Sequence, residues 1–180
     1  MSAIVADTPL SFRRATAEDI EAIVALAQSA YRGEASRAGW TTEADFLDGQ
    51  RIDAAGVETM LAGDQCIVLA HDGDALAGCC HLLGDGDTCW FGLFAVPPDR
   101  QGRGIGDALL VQAEREAFHG FDATRMRMKV IWLRDSLIAW YERRGYRRTG
   151  EQAPFPYGDA RFGLPLRDDL HFVVLEKALR

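Results

Sequence analysis

The chain lacks a Gly-Lys pair followed by Ser or Thr, which excludes a Walker phosphate loop. No run approaches the roughly 18 consecutive apolar residues of a membrane-spanning helix. The N-terminus has no basic-then-apolar leader pattern, so a cytoplasmic protein with no membrane partner is expected. The four cysteines (Cys66, Cys79, Cys80 and Cys89) include no Cys-x-x-Cys pair, so no zinc site or redox motif is indicated and no metal is expected. All four fall in expected strands, where a reduced cysteine acts as a small hydrophobe. Cys79 and Cys80 are neighbours and should face opposite sides of a sheet. No repeat, low-complexity tract or internal linker interrupts the chain. Its 180 residues, nearly half hydrophobic, are enough for one domain over residues 1–180 with a real core. A formal net charge of −7 argues against nucleic acid as a partner.

What the chain does carry is glycine in one informative place. Cys89-Trp90-Phe91-Gly92-Leu93-Phe94-Ala95-Val96 reads as a buried strand ended by Pro97-Pro98. Gln101-Gly102-Arg103-Gly104-Ile105-Gly106 follows, and then Ile105, Leu109, Ala113 and Ala117 repeat at helical spacing. Glycines let the backbone turn tightly and approach a ligand without Cβ obstruction. The free amides of the new helix's first turn then favour an anion. The segment reads as a pyrophosphate cradle. It is not a dinucleotide fingerprint, because the last position of G-x-G-x-x-G holds Asp107.

A second segment supports the first. Arg125-Met126-Arg127-Met128-Lys129-Val130-Ile131 alternates as a half-buried strand does. A short helix follows over Ser136 to Arg144, with Asp135 or Ser136 able to cap it and Gly145 as a left-handed stop.

Gln-x-x-Gly-x-Gly after Leu-Phe-Ala-Val-Pro-Pro, then strand, short helix and Tyr141-Glu142-Arg143-Arg144-Gly145-Tyr146, resembles the GNAT superfamily of N-acetyltransferases. The resemblance implies an α/β (α+β) GNAT fold: a central mixed, mostly antiparallel, splayed sheet flanked by helices. It implies acetyl-CoA as co-substrate, with pantetheine paired to main-chain groups around Phe94, Ala95 and Val96. Gln101, Gly102, Arg103, Gly104, Ile105, Gly106 and Asp107 would hold the pyrophosphate. Tyr141 would be the general acid that protonates the departing sulfur. Three features depart from the family pattern, one of them Leu137 where an alanine is usual. Arg134 stands where many members carry a cofactor-binding asparagine, and it is kept as a cofactor-binding candidate. The central strand has no glutamate, which leaves the general base unassigned.

Elsewhere the pattern is architectural. A strand at Ser11–Ala15 precedes a Thr16-to-Asp19 capping box and a helix through Tyr31. Residues 1–10 read as a lead-in and 32–52 as irregular; a second helix is expected over 53–62. Strands at 65–71 and 75–83 are joined by Asp72-Gly73-Asp74, and later strands start at Tyr146 and His171. The order is that of the GNAT fold. Two irregular segments are expected to wall the acceptor pocket. One carries Tyr31, Arg32, Glu34, Trp40 and Glu43, with Glu34 and Glu43 as the base candidates; the other spans Ala153 to Phe162. His81, in a strand, reads as a satisfied core or edge histidine. Three functions stay open: N-acetylation of a small-molecule amine or amino-acid-like acceptor, a silent acyl-CoA-binding sensor, and acetylation of a protein or peptide. A homodimer is left open.

Overall fold

The computed structural model describes residues 9–180, so most of the expected lead-in over residues 1–10 lies outside the described residues. The first half of the chain forms β1 (Ser11–Arg14), α1 (Ile20–Tyr31), α2 (Gly33–Ser36), β2 (Leu47–Asp48) and α3 (Ala54–Thr59). Three long strands follow: β3 (Gln65–Asp72), β4 (Ala75–Asp85) and β5 (Thr88–Ala95). Then come α4 (Ile105–Gly120), β6 (Arg125–Ile131), α5 (Asp135–Glu142), β7 (Arg147–Pro154), β8 (Leu164–Pro165) and β9 (His171–Ala178). The capping box forms before α1, with Thr16 and Asp19 exchanging hydrogen bonds. The segment expected to be irregular over 32–52 contains two short elements, α2 and β2, and β2 pairs with β8 in a small separate ladder.

Seven strands make one sheet in the order β1-β3-β4-β5-β6-β9-β7. Only β5 and β6 run parallel, because α4 carries the chain back across the sheet between them. Alternation along the central strands feeds two cores. Cys66, Val68 and Ala70 of β3 join Cys80 of β4 and the buried faces of α4 and α5. Ile67 and Leu69 join Cys79 and the buried face of α1 on the other side. Cys79 and Cys80 therefore do point to opposite faces, and all four cysteines are buried and reduced.

The feature that makes a site is a gap in this sheet. β5 pairs with β6 from Thr88–Arg125 to Phe91–Met128, and no ladder pair among the described residues joins them beyond that point. β5 nevertheless continues to Ala95 and β6 to Ile131. The register with β4 shows why they part. Cys79 pairs with Ala95 while His81 pairs with Gly92, so β5 has one extra residue there. Leu93 sits in that bulge at φ 44°. A bulge bends its strand and adds twist, which swings the end of β5 away from β6.

Candidate active site

The turn between β5 and α4 has the conformation its sequence calls for. Gly102 and Gly104 both lie at φ 78°, and a Cβ at either would point into open space. Left-handed backbone is therefore the reason for glycine here, and the empty space above it leaves room for a ligand. Gly106 is glycine for a different reason. A Cβ there would come within 3.3 Å of the Phe94 ring, which packs directly on the first turn of α4. Ala108 is the first residue to bond inside the helix, to the Gly104 carbonyl at 3.0 Å. The amides of Ile105, Gly106 and Asp107 thus have no partner within α4 and point out of its N-terminus. Arg144 pairs with the Asp107 carboxylate, removing a charge that would otherwise repel an anion at this end.

A cavity of about 240 Å³ opens beside this turn. Trp40, Trp140 and Phe94 wall it, with Trp40 and Trp140 centroids 6.3 Å apart. The Gln101 side chain holds one wall in place. It accepts from the Trp40 amide at 2.9 Å and donates to Thr41 Oγ1 at 2.9 Å and the Val96 carbonyl at 3.0 Å.

A second cavity, of about 420 Å³, lies in the splay between β5 and β6. Phe94 and Leu137 line both. Tyr141 packs its ring against Phe91, Trp140 and Tyr146, all edge-on. Its hydroxyl lines the splay cavity and has no hydrogen-bond partner among the described residues. Burial, and secondarily Tyr31, push its pKa well above the phenol range, so it stays protonated. Tyr31 differs, since its hydroxyl donates to the Phe94 carbonyl at the edge of the splay.

Glu43 is buried between two guanidinium groups. Arg32 Nη1 reaches it at 2.5 Å and Arg134 Nη1 at 3.2 Å. Burial pushes its carboxyl up, but Arg134, Arg32 and Arg51 together outweigh burial and hold it below the usual carboxylate range. Such a group resists protonation and is a weak base. Its folded pKa lies below the unfolded one, so its stabilisation is present at neutral pH and is lost as pH falls through the folded value. Glu43→Gln should cost about 2 kcal/mol at pH 7 by urea unfolding, because two buried cations lose their counter-charge. The difference from wild type should shrink in acid.

The structure brings most of the sequence candidates together and separates some. Phe94, Val96, Gln101, Gly102, Gly104, Gly106, Asp107 and Trp40 line the smaller cavity, and Tyr31, Glu43, Arg134 and Tyr141 the larger. Ala95 and Ile105 turn their side chains into the core, leaving only main chain for a ligand, and Arg103 is exposed outside both linings. Arg134 does not face the glycine turn. Its guanidinium bonds the Thr41 carbonyl at 2.6 Å and Glu43, and stacks over Tyr31. Glu34 is exposed on α2 and pairs with Arg37, away from either cavity. α5 starts at Asp135 with Arg134 in the capping position, and neither Asp135 nor Ser136 caps it. Of the second irregular segment, Phe155 and Phe162 reach the larger cavity. Tyr157 is exposed, its hydroxyl tied to Arg167 and Leu170. His81 lines the splay from an interior strand and bonds Gln65, so it is a satisfied histidine. Sequence patterning missed Arg51, Trp140 and the Leu93 bulge, because each gains its role from a neighbour distant along the chain.

The family model described as an acetyltransferase (GNAT) domain matches residues 62–148. No curated protein matches the chain by sequence. Among solved structures, the ribosomal-protein-S18-alanine N-acetyltransferase of Escherichia coli superposes with a TM-score of 0.70 at 14% identity, over 95% of this chain and 94% of that one. A variant of the spermidine N-acetyltransferase of Vibrio cholerae gives 0.67 at 14% identity, over 94% and 93%. The IAA acetyltransferase of Bacillus cereus gives 0.62 at 20% identity, over 95% and 100%. The chain therefore has the fold of these acetyltransferases, and its residues 62–148 match the GNAT acetyltransferase domain model.

Proposed function

We propose that the protein is an acetyl-CoA-dependent N-acetyltransferase, a single domain over residues 1–180, acting on a primary amine of a small-molecule or amino-acid-like acceptor. The observation that carries this is the Tyr141 hydroxyl, unpartnered in a splay whose other end is the glycine turn. Acetyl-CoA brings an activated thioester. Its fit rests on the open space above Gly102 and Gly104 and the free amides of Ile105 to Asp107, which suit a pyrophosphate. Trp40, Trp140 and Phe94 would enclose the pantetheine, and the main chain from Phe94 to Val96 would pair with it. The Phe94 carbonyl keeps one lone pair after accepting from Tyr31.

The chemistry asks little of side chains. Holding an amine against the thioester supplies much of the rate. Tyr141 donates its proton to the sulfur as the C–S bond breaks and the amine nitrogen takes the acetyl group, and the proton that the nitrogen then sheds restores the phenol by way of solvent. A free thiol is more acidic than a phenol and burial raises both, so the proton transfer is drawn by cleavage of the C–S bond and not by a difference in acidity. Within this chain burial pushes the Cys66 thiol up to about 11 and Cys79 up to about 12. A thiolate leaving in the splay is likewise a stronger base than in water.

The test is transfer itself. Wild-type protein with acetyl-CoA and a panel of amines should release free thiol and N-acetyl product in equal amounts for at least one amine. Thiol release that no amine accelerates would refute the proposal.

A further inference from the structure

The splay cavity carries an uneven set of charges. Its lining includes the cations Arg32, Arg51, Arg134 and Lys129, against one carboxylate, Glu43. Glu43 is already engaged by Arg32 and Arg134. His81 adds no charge, since burial and the nearby Arg51 push it down to about 4. Arg51 and Lys129 have no carboxylate partner among the described residues. Lys129 is exposed and lies over Trp90, 5.3 Å from the ring centroid. Arg51 is half-buried, with its guanidinium 5.2 Å from the Tyr31 ring centroid. Tyr31 in turn bonds the strand edge where the thioester is placed. The remaining walls are largely apolar and aromatic, among them Trp90, Phe155 and Phe162.

We propose that Arg51 selects the acceptor by binding its carboxylate, and that the acceptor is an amino-carboxylate with an apolar side chain. The inference rests on the acetyl-transfer reading, of which it names the substrate class. Arg51 feels Glu43 only from beyond ion-pair distance, and a half-buried guanidinium with no ion pair of its own is matched by an anionic ligand, since Arg binds a carboxylate with two parallel hydrogen bonds. The aromatic walls suit an apolar body. The excess of positive charge also disfavours an ammonium ion and so favours the neutral amine that attacks. That explains how a site whose one buried carboxylate is pinned can manage without a dedicated base. The same excess repels a polyamine, which would bring a second cation into the cavity.

N-Acetylphenylalanine and N-acetylphenethylamine differ only in the carboxylate, and calorimetry with each reads the preference without any turnover. Wild-type protein should bind the carboxylate compound about 30-fold more tightly. Arg51→Gln should bring the two within about threefold, and Arg51→Lys should restore part of the difference, with thermal unfolding confirming that both variants fold. Equal binding of the two compounds to wild type, no binding of either, or equal weakening of both in Arg51→Gln would overturn the proposal. So would spermidine outcompeting phenylalanine as acceptor. A carboxylate preference that depends on Arg51, together with no acetyl transfer to any amine, would sink the transferase reading and uphold Arg51 as the carboxylate site.

Discussion

Gly104→Glu should abolish acetyl-CoA binding while the protein stays folded. The residue lies at φ 78° with nothing near its missing Cβ, so a side chain there costs left-handed strain of about 1 kcal/mol and no collision. That is a small fraction of a domain's stability. The functional cost is far larger. A glutamate at the capping position of α4 places a carboxylate where the amides of Ile105 to Asp107 point, on the ground assigned to the pyrophosphate. Like charges then face each other in a site built for one of them. Acetyl-CoA should raise the melting temperature of wild type, since a ligand that binds only the folded state stabilises it. The same concentration should leave Gly104→Glu unmoved, with affinity down by about 1,000-fold or more. Gly104→Ala separates strain from occupancy: it carries the same backbone cost and should keep affinity within about tenfold. Equal protection of wild type and Gly104→Glu would move the cofactor elsewhere.

Tyr141→Phe should lower kcat by about 100- to 10,000-fold, the range for loss of a positioned proton donor. The ring contacts with Phe91, Trp140 and Tyr146 do not need the hydroxyl, so stability and acetyl-CoA affinity should hold. A fall in kcat with unchanged affinity marks a group that acts in the transition state. The pH profile adds a second check. Burial keeps the Tyr141 phenol protonated beyond the ordinary phenol range, so a loss of rate on the alkaline side below that range belongs to another group. Tyr141→Phe should leave that limb in place. An undiminished kcat would remove Tyr141 from the chemistry.

Sequence patterning captured the parts of this molecule that depend on local chemistry. The strand, glycine turn and helix from Thr88 to Gly120 are encoded by apolar alternation, positive-φ glycines and helical spacing, all within a few residues of each other. Tyr141 stands out only through the resemblance of its segment, Tyr141 to Tyr146, to a family motif; the helix pattern by itself marks no more than a core-facing aromatic. Other features depend on partners far along the chain. Glu43 looked like a base until Arg32 and Arg134 closed on it, the latter 91 residues away. Arg134 looked like a cofactor ligand by position, yet it is drawn to Glu43 and the Thr41 carbonyl. β2 and β8 are two residues each and exist only because they pair with one another, so neither carries a pattern of its own. Arg51 sits in an unpatterned stretch, and its place under Tyr31 follows from how that loop crosses α1.

The most direct test of the account is calorimetric titration of acetyl-CoA into the wild-type protein. Saturable binding at one molecule per chain is the predicted result, since one glycine turn and one splay make one site. No detectable binding would contradict the cradle, the splay chemistry and the acyl-transfer function together.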